Sequence, residues 1–334
     1  ELLQPNAAMA ALIAVGLYAA LSATWAEAPG SALSKAALLV GATLVVFAAS
    51  AAIAALDKDQ VRRASQAFIA GALCAAAFVM TELLTHGALT RFAMNNIPAF
   101  MPDRAKHVAI RHGRVTKINL SEFNQHVAML AFQLWPGLLA LRVLEPRRRI
   151  LLTILFLVAL AVPISFSEHD SSQLGLVAAL LIFPLARIKP RAVISGLAIA
   201  WCLGFVLVIP LDFVAFKAEL HQAKWLPISA RARIIIWEYT AERALENPWL
   251  GIGADSTPAV KAKAVAAPEK PKGFVFRRTT GQHAHNLFLQ SWYELGLFGT
   301  ILVAIAGAAA ALRLLVFPLE AQAYGAAALT LFPV

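Results

Sequence analysis

The chain has 334 residues, 60% of them hydrophobic and only 14% charged, with a mean hydropathy of +0.69. Soluble domains carry roughly 25% charged residues, so this composition excludes an ordinary soluble protein. The net charge of +10 does not point to nucleic acid. The cations fall between apolar runs, no nucleic-acid motif is present, and lipid head groups and anionic substrates are the expected partners.

Apolar runs of roughly 17–25 residues, enough to cross a bilayer, recur along the chain. Helices satisfy their own backbone polar groups in hydrocarbon, so the predicted class is a helical membrane protein. Spans are predicted near residues 6–26, 34–56, 65–85, 123–141, 150–168, 171–186, 193–216, 285–312 and from 320 onward. The sequence opens at Glu1 and stops inside an apolar run at Val334, which reads as a chain trimmed at its ends. Cys74 and Cys202 fall inside spans and read as small buried thiols rather than a disulfide.

Lys and Arg in short loops set the orientation. Lys58, Arg62 and Arg63 follow the second span, Arg142 and Arg147–Arg149 the fourth, and Arg187, Lys189 and Arg191 the sixth. These loops are expected in the cytoplasm, which places residues 27–33, 165–172 and 217–284 on the other side, the periplasm of a bacterium. Residues 86–122 go against this pattern. They are expected in the periplasm yet carry Arg91, Arg104, Lys106, Arg111, Arg114 and Lys117. Six cations there call for an anionic partner, phospholipid or substrate phosphate, or form a solvated loop near head groups.

The expected fold is therefore all-α: a polytopic helical membrane protein with a large, partly helical periplasmic loop. Residues 1–216 form a bundle of about seven spans, 217–284 a loop region holding the active site, and 285–334 truncated C-terminal helices. Within the loop, Ser229 is a candidate cap for a helix from about Ala230 to Leu245, ending before Asn247-Pro248. Residues 258–273, rich in Lys, Ala and Pro, read as a mobile loop.

The sharpest chemical feature is Gln282-His283-Ala284-His285-Asn286-Leu287 at the entry to a span, just after Arg277 and Arg278. A neutral imidazole is a suitable general base near pH 7, and guanidiniums hold phosphate oxygens bidentately. Glycosyl transfer from a diphosphate donor needs that pair: a base for the acceptor hydroxyl and cations for the departing diphosphate. The plain alternative is that these histidines cap the helix among head groups. A His-x-His pair also suits zinc, but no third and fourth ligands stand in the same loop, so no metal is assigned.

The second feature is Arg231-Ala232-Arg233-Ile234-Ile235-Ile236-Trp237, followed by Asn247-Pro248-Trp249-Leu250-Gly251-Ile252-Gly253. On a helix Arg233 and Trp237 share a face one turn apart, as a phosphate-reaching arginine or as a simple cation–π pair. Glu294, two to three turns beyond His285, is an intramembrane carboxylate and a functional candidate by that fact. It is equally suited to accept hydrogen bonds from the bundle, with Gly296 and Gly299 allowing close packing. Glu82 and His86, four apart, are placed to pair.

Taken in order, Arg-x-x-x-Trp, Asn-Pro-x-x-Gly-x-Gly, His-x-His-Asn-x-x-Leu-Gln and Glu-x-Gly-x-x-Gly resemble the O-antigen ligase and polymerase superfamily, and the His-x-His-Asn element fits the ligase branch. The resemblance covers roughly residues 120–312. It implies a metal-independent, cofactor-free inner-membrane glycosyltransferase with its site at the periplasmic face. Such an enzyme moves O-antigen glycan from undecaprenyl diphosphate to a sugar of lipid A–core. It also implies that Arg233 is the loop-helix arginine and that His283 and His285 are the motif histidines, one the base and the other its positioner. Two departures matter. Gln125 stands where relatives place arginine after Asn, and Ser167-Glu168-His169-Asp170-Ser171 lacks the arginine expected near residue 171. Arg91, Arg277 or Arg278 are then the substitute phosphate ligands, with Arg231 beside Arg233, while His169 with Asp170 forms a second polar pair in the site or, the commoner role for such residues, caps a helix at the surface.

Three rivals stay open: an O-antigen polymerase, a protein O-oligosaccharyltransferase, and a lipid-linked sugar transporter without chemistry. The transporter reading expects broken spans in matched halves. Pro163 and Pro184 are read as breaks, and no second half mirrors them.

Overall fold

The fold was examined in a computed structural model, which describes residues 6–100, 108–260, 279–281 and 283–331. The elements in order are α1 (Ala7–Ser22), α2 (Pro29–Ala54), α3 (Lys58–Leu84), α4 (Ala88–Asn96), β1 (Val108–Arg111), β2 (Arg114–Ile118) and α5 (Asn124–Leu141). Then come α6 (Pro146–Phe166), α7 (Asp170–Ile188), α8 (Pro190–Lys217), α9 (Ile228–Ala244), α10 (Leu287–Arg313) and α11 (Leu319–Leu329). The expected all-helical architecture is borne out, a two-stranded hairpin aside. Among the described residues six helices are long and apolar enough to cross a membrane: α2, α3, most of α6, α7, α8, and α10 with the turn that follows it. Leucines, isoleucines and valines exposed along them, such as Val45, Leu151 and Val206, suit a lipid solvent.

The prolines do not break the spans. Both α6 and α7 run through Pro163 and Pro184, which helices in a membrane accommodate when neighbouring groups satisfy the freed carbonyls. Cys74 is exposed on α3 and Cys202 partly buried, both free thiols, so neither is the fully buried residue expected. Helix α9 begins at Ile228 with Pro227 in the capping position, which puts Ser229 inside the first turn instead of before it.

The chain forms two compact units. One comprises Glu1–Ala55 with Ser195–Arg313, the other Leu56–Ile194 with Leu314–Phe332. In the second unit α3, α5, α6, α7 and α11 bury Leu130, Leu134, Phe156, Leu160 and Ile164, and Trp135, Phe183 and Tyr324 stack in sequence at 5.0 Å spacings. Residues 86–122, read as a loop, contain α4 and a β-hairpin. His112 and Gly113, both at positive φ, make its two-residue turn, the geometry that matches strand twist. The Asn95 amide ties α4 to the hairpin, accepting from the Val115 N–H (2.8 Å) and donating to its carbonyl (3.1 Å). Glu82 is fully buried and accepts from the Thr90 N–H at 2.8 Å, so the carboxylate serves the α3–α4 corner instead of pairing with His86.

Gly137 is the tightest contact of this core, since a Cβ there would lie 2.2 Å from the Phe156 ring. Gly137→Ala is expected to cost about 1–3 kcal/mol through overpacking. Thermal unfolding of the purified protein checks this, and Phe156→Leu in the same chain should restore most of the loss because the two sites are coupled.

Candidate functional site

The site is built in the first unit around a break in α10. Gly296 sits at φ 60°, ψ −166°, interrupting the helix and leaving backbone groups of both flanking turns without helical partners. The segment Pro248–Gly253 takes them up. Ile252 and Gly253 donate to the carbonyls of Tyr293 (3.1 Å) and Glu294 (2.9 Å), while Leu297 and Phe298 donate to Pro248 (2.7 Å) and Trp249 (3.4 Å). The remaining carbonyl, Leu295, accepts from the Tyr18 hydroxyl at 3.0 Å. Two glycines make the approach possible. A Cβ on Gly251 would lie 2.4 Å from the Glu294 carbonyl, and one on Gly296 would lie 2.4 Å from the Trp249 carbonyl carbon. The Asn-Pro-x-x-Gly-x-Gly and Glu-x-Gly elements are thus the two sides of one backbone junction.

A chain of side-chain bonds runs outward from that junction. The Glu294 carboxylate accepts from the backbone N–H of Asp255 (2.9 Å) and of Thr257 (3.1 Å) and from the Thr257 hydroxyl (2.6 Å). Gln290 donates to the Thr257 oxygen (2.7 Å) and accepts from the Ala284 N–H (2.6 Å). The Ala284 carbonyl in turn accepts from the Trp237 indole at 2.9 Å. Ala284 is fully buried, and His283 and His285, which flank it in sequence, are both open to solvent. Asn286 caps α10, accepting from Phe288 (3.0 Å) and Leu289 (3.3 Å). His285 holds a left-handed φ of 54°, a conformation that costs a non-glycine residue energy and is seen mainly where surroundings fix it.

The two imidazoles lie 4.1 Å apart, centre to centre. The Trp237–Ala284 bond draws α9 against the motif, and Arg233, one turn before Trp237, comes within electrostatic reach. Partial burial, then the neighbouring His283, then the Arg233 cation push the His285 pKa down to about 4. Although the residue is open to solvent, all three influences act in one direction, so the ring is neutral at physiological pH.

Of the residues singled out from sequence, the structure therefore brings His283, His285 and Arg233 together. Arg231 lies two positions earlier on α9, partly buried, on a different side of the helix from Arg233. Arg91, Gln125 and His169 belong to the other unit. There Arg91 donates to the carbonyls of His86 (3.0 Å) and Thr85 (3.4 Å) at the end of α3. Gln125 is exposed on the first turn of α5, and the His169 ring bonds the Ser172 hydroxyl at 2.6 Å at the start of α7. Arg277 and Arg278, and most of the Lys/Ala/Pro-rich stretch, lie outside the described residues. Among the described residues no three His, Cys, Asp or Glu side chains cluster as metal ligands would.

Sequence reasoning passed over Asp212. It is 5% exposed, and one carboxylate oxygen has no hydrogen-bond partner among the described residues. On α8 it continues the face of Val208 and Ile209, which packs with Ala284 and Leu289. The signal was present, an aspartate within an apolar run.

The family comparison matches this region. Residues 153–304 fit the family model described as O-antigen ligase. The match covers just under half of the chain. Its span takes in α7, α8, α9, the junction and both motif histidines. A Rickettsia conorii protein named a putative polysaccharide ligase is 26% identical over 239 residues, 71% of this chain and 52% of its own length. A Rickettsia felis protein of the same name is 26% identical over 243 residues, 70% of this chain and 51% of its own. The chain spans about half the length of these curated relatives. No solved structure matches. The apolar helices, together with this similarity, are those of a multi-pass membrane protein.

Two expectations follow. Gly296→Ala is expected to lower the unfolding temperature, because the added Cβ forces the junction open. Heating curves of the detergent-purified variant check this. The second concerns pH. With its folded pKa near 4 and its unfolded value near 6.5, His285 takes up a proton on unfolding between those limits. Its contribution to stability is therefore complete above about pH 6.5 and falls as pH drops toward 4. For the same reason the His285 ring should take up little proton above about pH 5. Arg233→Ala should raise the pKa of the His285 ring by removing one of the causes of the depression. A histidine NMR titration of both forms measures the shift.

Proposed function

We propose that this chain is an O-antigen ligase, transferring O-antigen polysaccharide from undecaprenyl diphosphate to a lipid A–core sugar. In this reading the basic loops after α2, α5 and α7 lie in the cytoplasm, residues 217–284 face the periplasm, and the protein resides in a bacterial inner membrane. The observation that carries the reading is a pair of imidazoles, one held neutral, set beside a permanently charged guanidinium at the mouth of an apolar bundle.

The chemistry follows from that pairing. Arg233 holds oxygens of the donor diphosphate, with Arg231, Arg277 and Arg278 as further cations, and stabilises the charge that builds on the leaving group. One motif imidazole accepts the proton of the acceptor hydroxyl as its oxygen attacks the anomeric carbon and the bond to diphosphate breaks. Direct displacement inverts that carbon. The depressed pKa of His285 has a use here. A bound diphosphate neutralises the Arg233 charge, removing part of the depression, so the ring becomes a better proton acceptor when donor is present. Neither a metal nor a cofactor enters the scheme.

The test is complementation of a strain lacking the gene, with lipopolysaccharide resolved on gels and membrane expression verified. His283→Ala, His285→Ala and Arg233→Ala are each expected to lose the glycan ladder on lipid A–core and accumulate lipid-linked glycan. Loss of one general base or charge clamp costs about 100-fold or more in rate. An intact ladder in all three variants removes the catalytic assignment and leaves a transporter. Accumulation of single-repeat glycan indicates a polymerase, and loss of glycan from protein a protein O-oligosaccharyltransferase. The same assay on Arg91→Ala, Gln125→Ala and His169→Ala reports whether those residues take part.

A further inference from the structure

The second unit carries a cleft of about 470 Å³ where α5 ends and α6 begins. Arg142 and Arg149 stand at one end, and Ile154, Leu157, Phe183 and Tyr324 line the body. We propose that this cleft binds an anionic phospholipid of the surrounding bilayer, its phosphate between Arg142 and Arg149 and an acyl chain along Ile154 and Leu157.

Charge argues for the head group. Arg142 pairs with Glu320 at 3.0 Å, which holds the guanidinium at the lip and leaves donors on its far side free to serve a second anion. Arg149 makes no ion pair or side-chain hydrogen bond among the described residues. Two cations against one carboxylate leave a single positive charge in excess, the complement of one phosphodiester. Two guanidinium forks at one end of an apolar slot suit the planar, multi-oxygen face of a phosphate better than water alone would. Thr153, one turn along α6 from Arg149, adds a hydroxyl beneath them.

Shape and surroundings argue for the tail. Ile150 and Ile154 are 71% and 55% exposed, so the slot opens sideways onto surface that suits hydrocarbon, where an acyl chain enters without desolvating anything polar. The end carrying the arginines lies where α5 ends and α6 begins, and its run of cations is the positive-inside signal. Basic pockets between spans on that side are where anionic head groups gather.

The experiment is thermal unfolding of the detergent-purified protein titrated with phosphatidylglycerol, phosphatidylcholine of the same chains, or inorganic phosphate. Phosphatidylglycerol is expected to stabilise at concentrations at least about fivefold lower than phosphatidylcholine, and inorganic phosphate not at all, since each cation near a lipid surface contributes roughly 1 kcal/mol. Arg149→Ala should lose about that fivefold difference and Arg149→Lys keep most of it, while Arg147→Ala, in the same first turn of α6 but outside the cleft, should titrate like the parent. Equal stabilisation by both lipids, or an Arg149→Ala protein that still discriminates, overturns the proposal. Undecaprenyl phosphate binding tighter than phosphatidylglycerol overturns the choice of phospholipid.

Discussion

A transmembrane helix that opens in the middle exposes peptide groups to a solvent that cannot bond them, and everything in the first unit follows from how this chain meets that demand. At Gly296 five backbone groups lose their helical partners, and the segment after α9 with one tyrosine hydroxyl supplies all five replacements. The junction holds Pro248–Gly253 against α10, and Glu294 secures the residues that follow. Thr257 and Gln290 carry the fixation to Ala284, and Ala284 carries it to α9 through Trp237. The histidines and Arg233 meet because backbone hydrogen bonds some turns away leave them no other arrangement.

Within that frame the electrostatics are set by proximity. Partial removal from water, then the second imidazole and then the guanidinium beside it disfavour protonation of His285. The same positive neighbour that weakens the base is the group suited to an anionic donor, so charge on the substrate and proton affinity of the ring are linked.

Much of this was legible in the sequence, for reasons that can be named. The spans were visible because hydrocarbon tolerates few charges, and the order of the short motifs carried the family. The motif histidines and Arg233 stood out because charged and titratable groups near an apolar run are conspicuous. What the sequence hid was geometry. Pro163 and Pro184 look like breaks yet lie in continuous helices, whereas Glu294-Leu295-Gly296 looks like helix interior and holds the true break. Its cause is the partner segment some forty residues earlier, which no local pattern announces. Asp212 went unnoticed because a single carboxylate near the end of an apolar run resembles a boundary. The hairpin in residues 108–118 was lost in a cationic stretch read for its charge, although His112-Gly113 is a usable turn signal. The Glu82–His86 pairing was plausible by helical spacing, but His86 falls past the end of α3, where spacing rules lapse.

The broken helix also constrains the order of assembly. As it leaves the insertion machinery, the sequence Leu287–Arg313 is a good continuous apolar helix, and in that form its backbone needs nothing from elsewhere. Opening at Gly296 in lipid is unfavourable unless Pro248–Gly253 is already at hand to take the freed groups. That segment is made first and waits outside the hydrocarbon. The functional shape of α10 is therefore acquired late, by exchange of hydrogen bonds between two segments already in place. Membrane insertion and construction of the junction are then separate events, with the two facing glycines, Gly251 and Gly296, acting as the latch that closes the second.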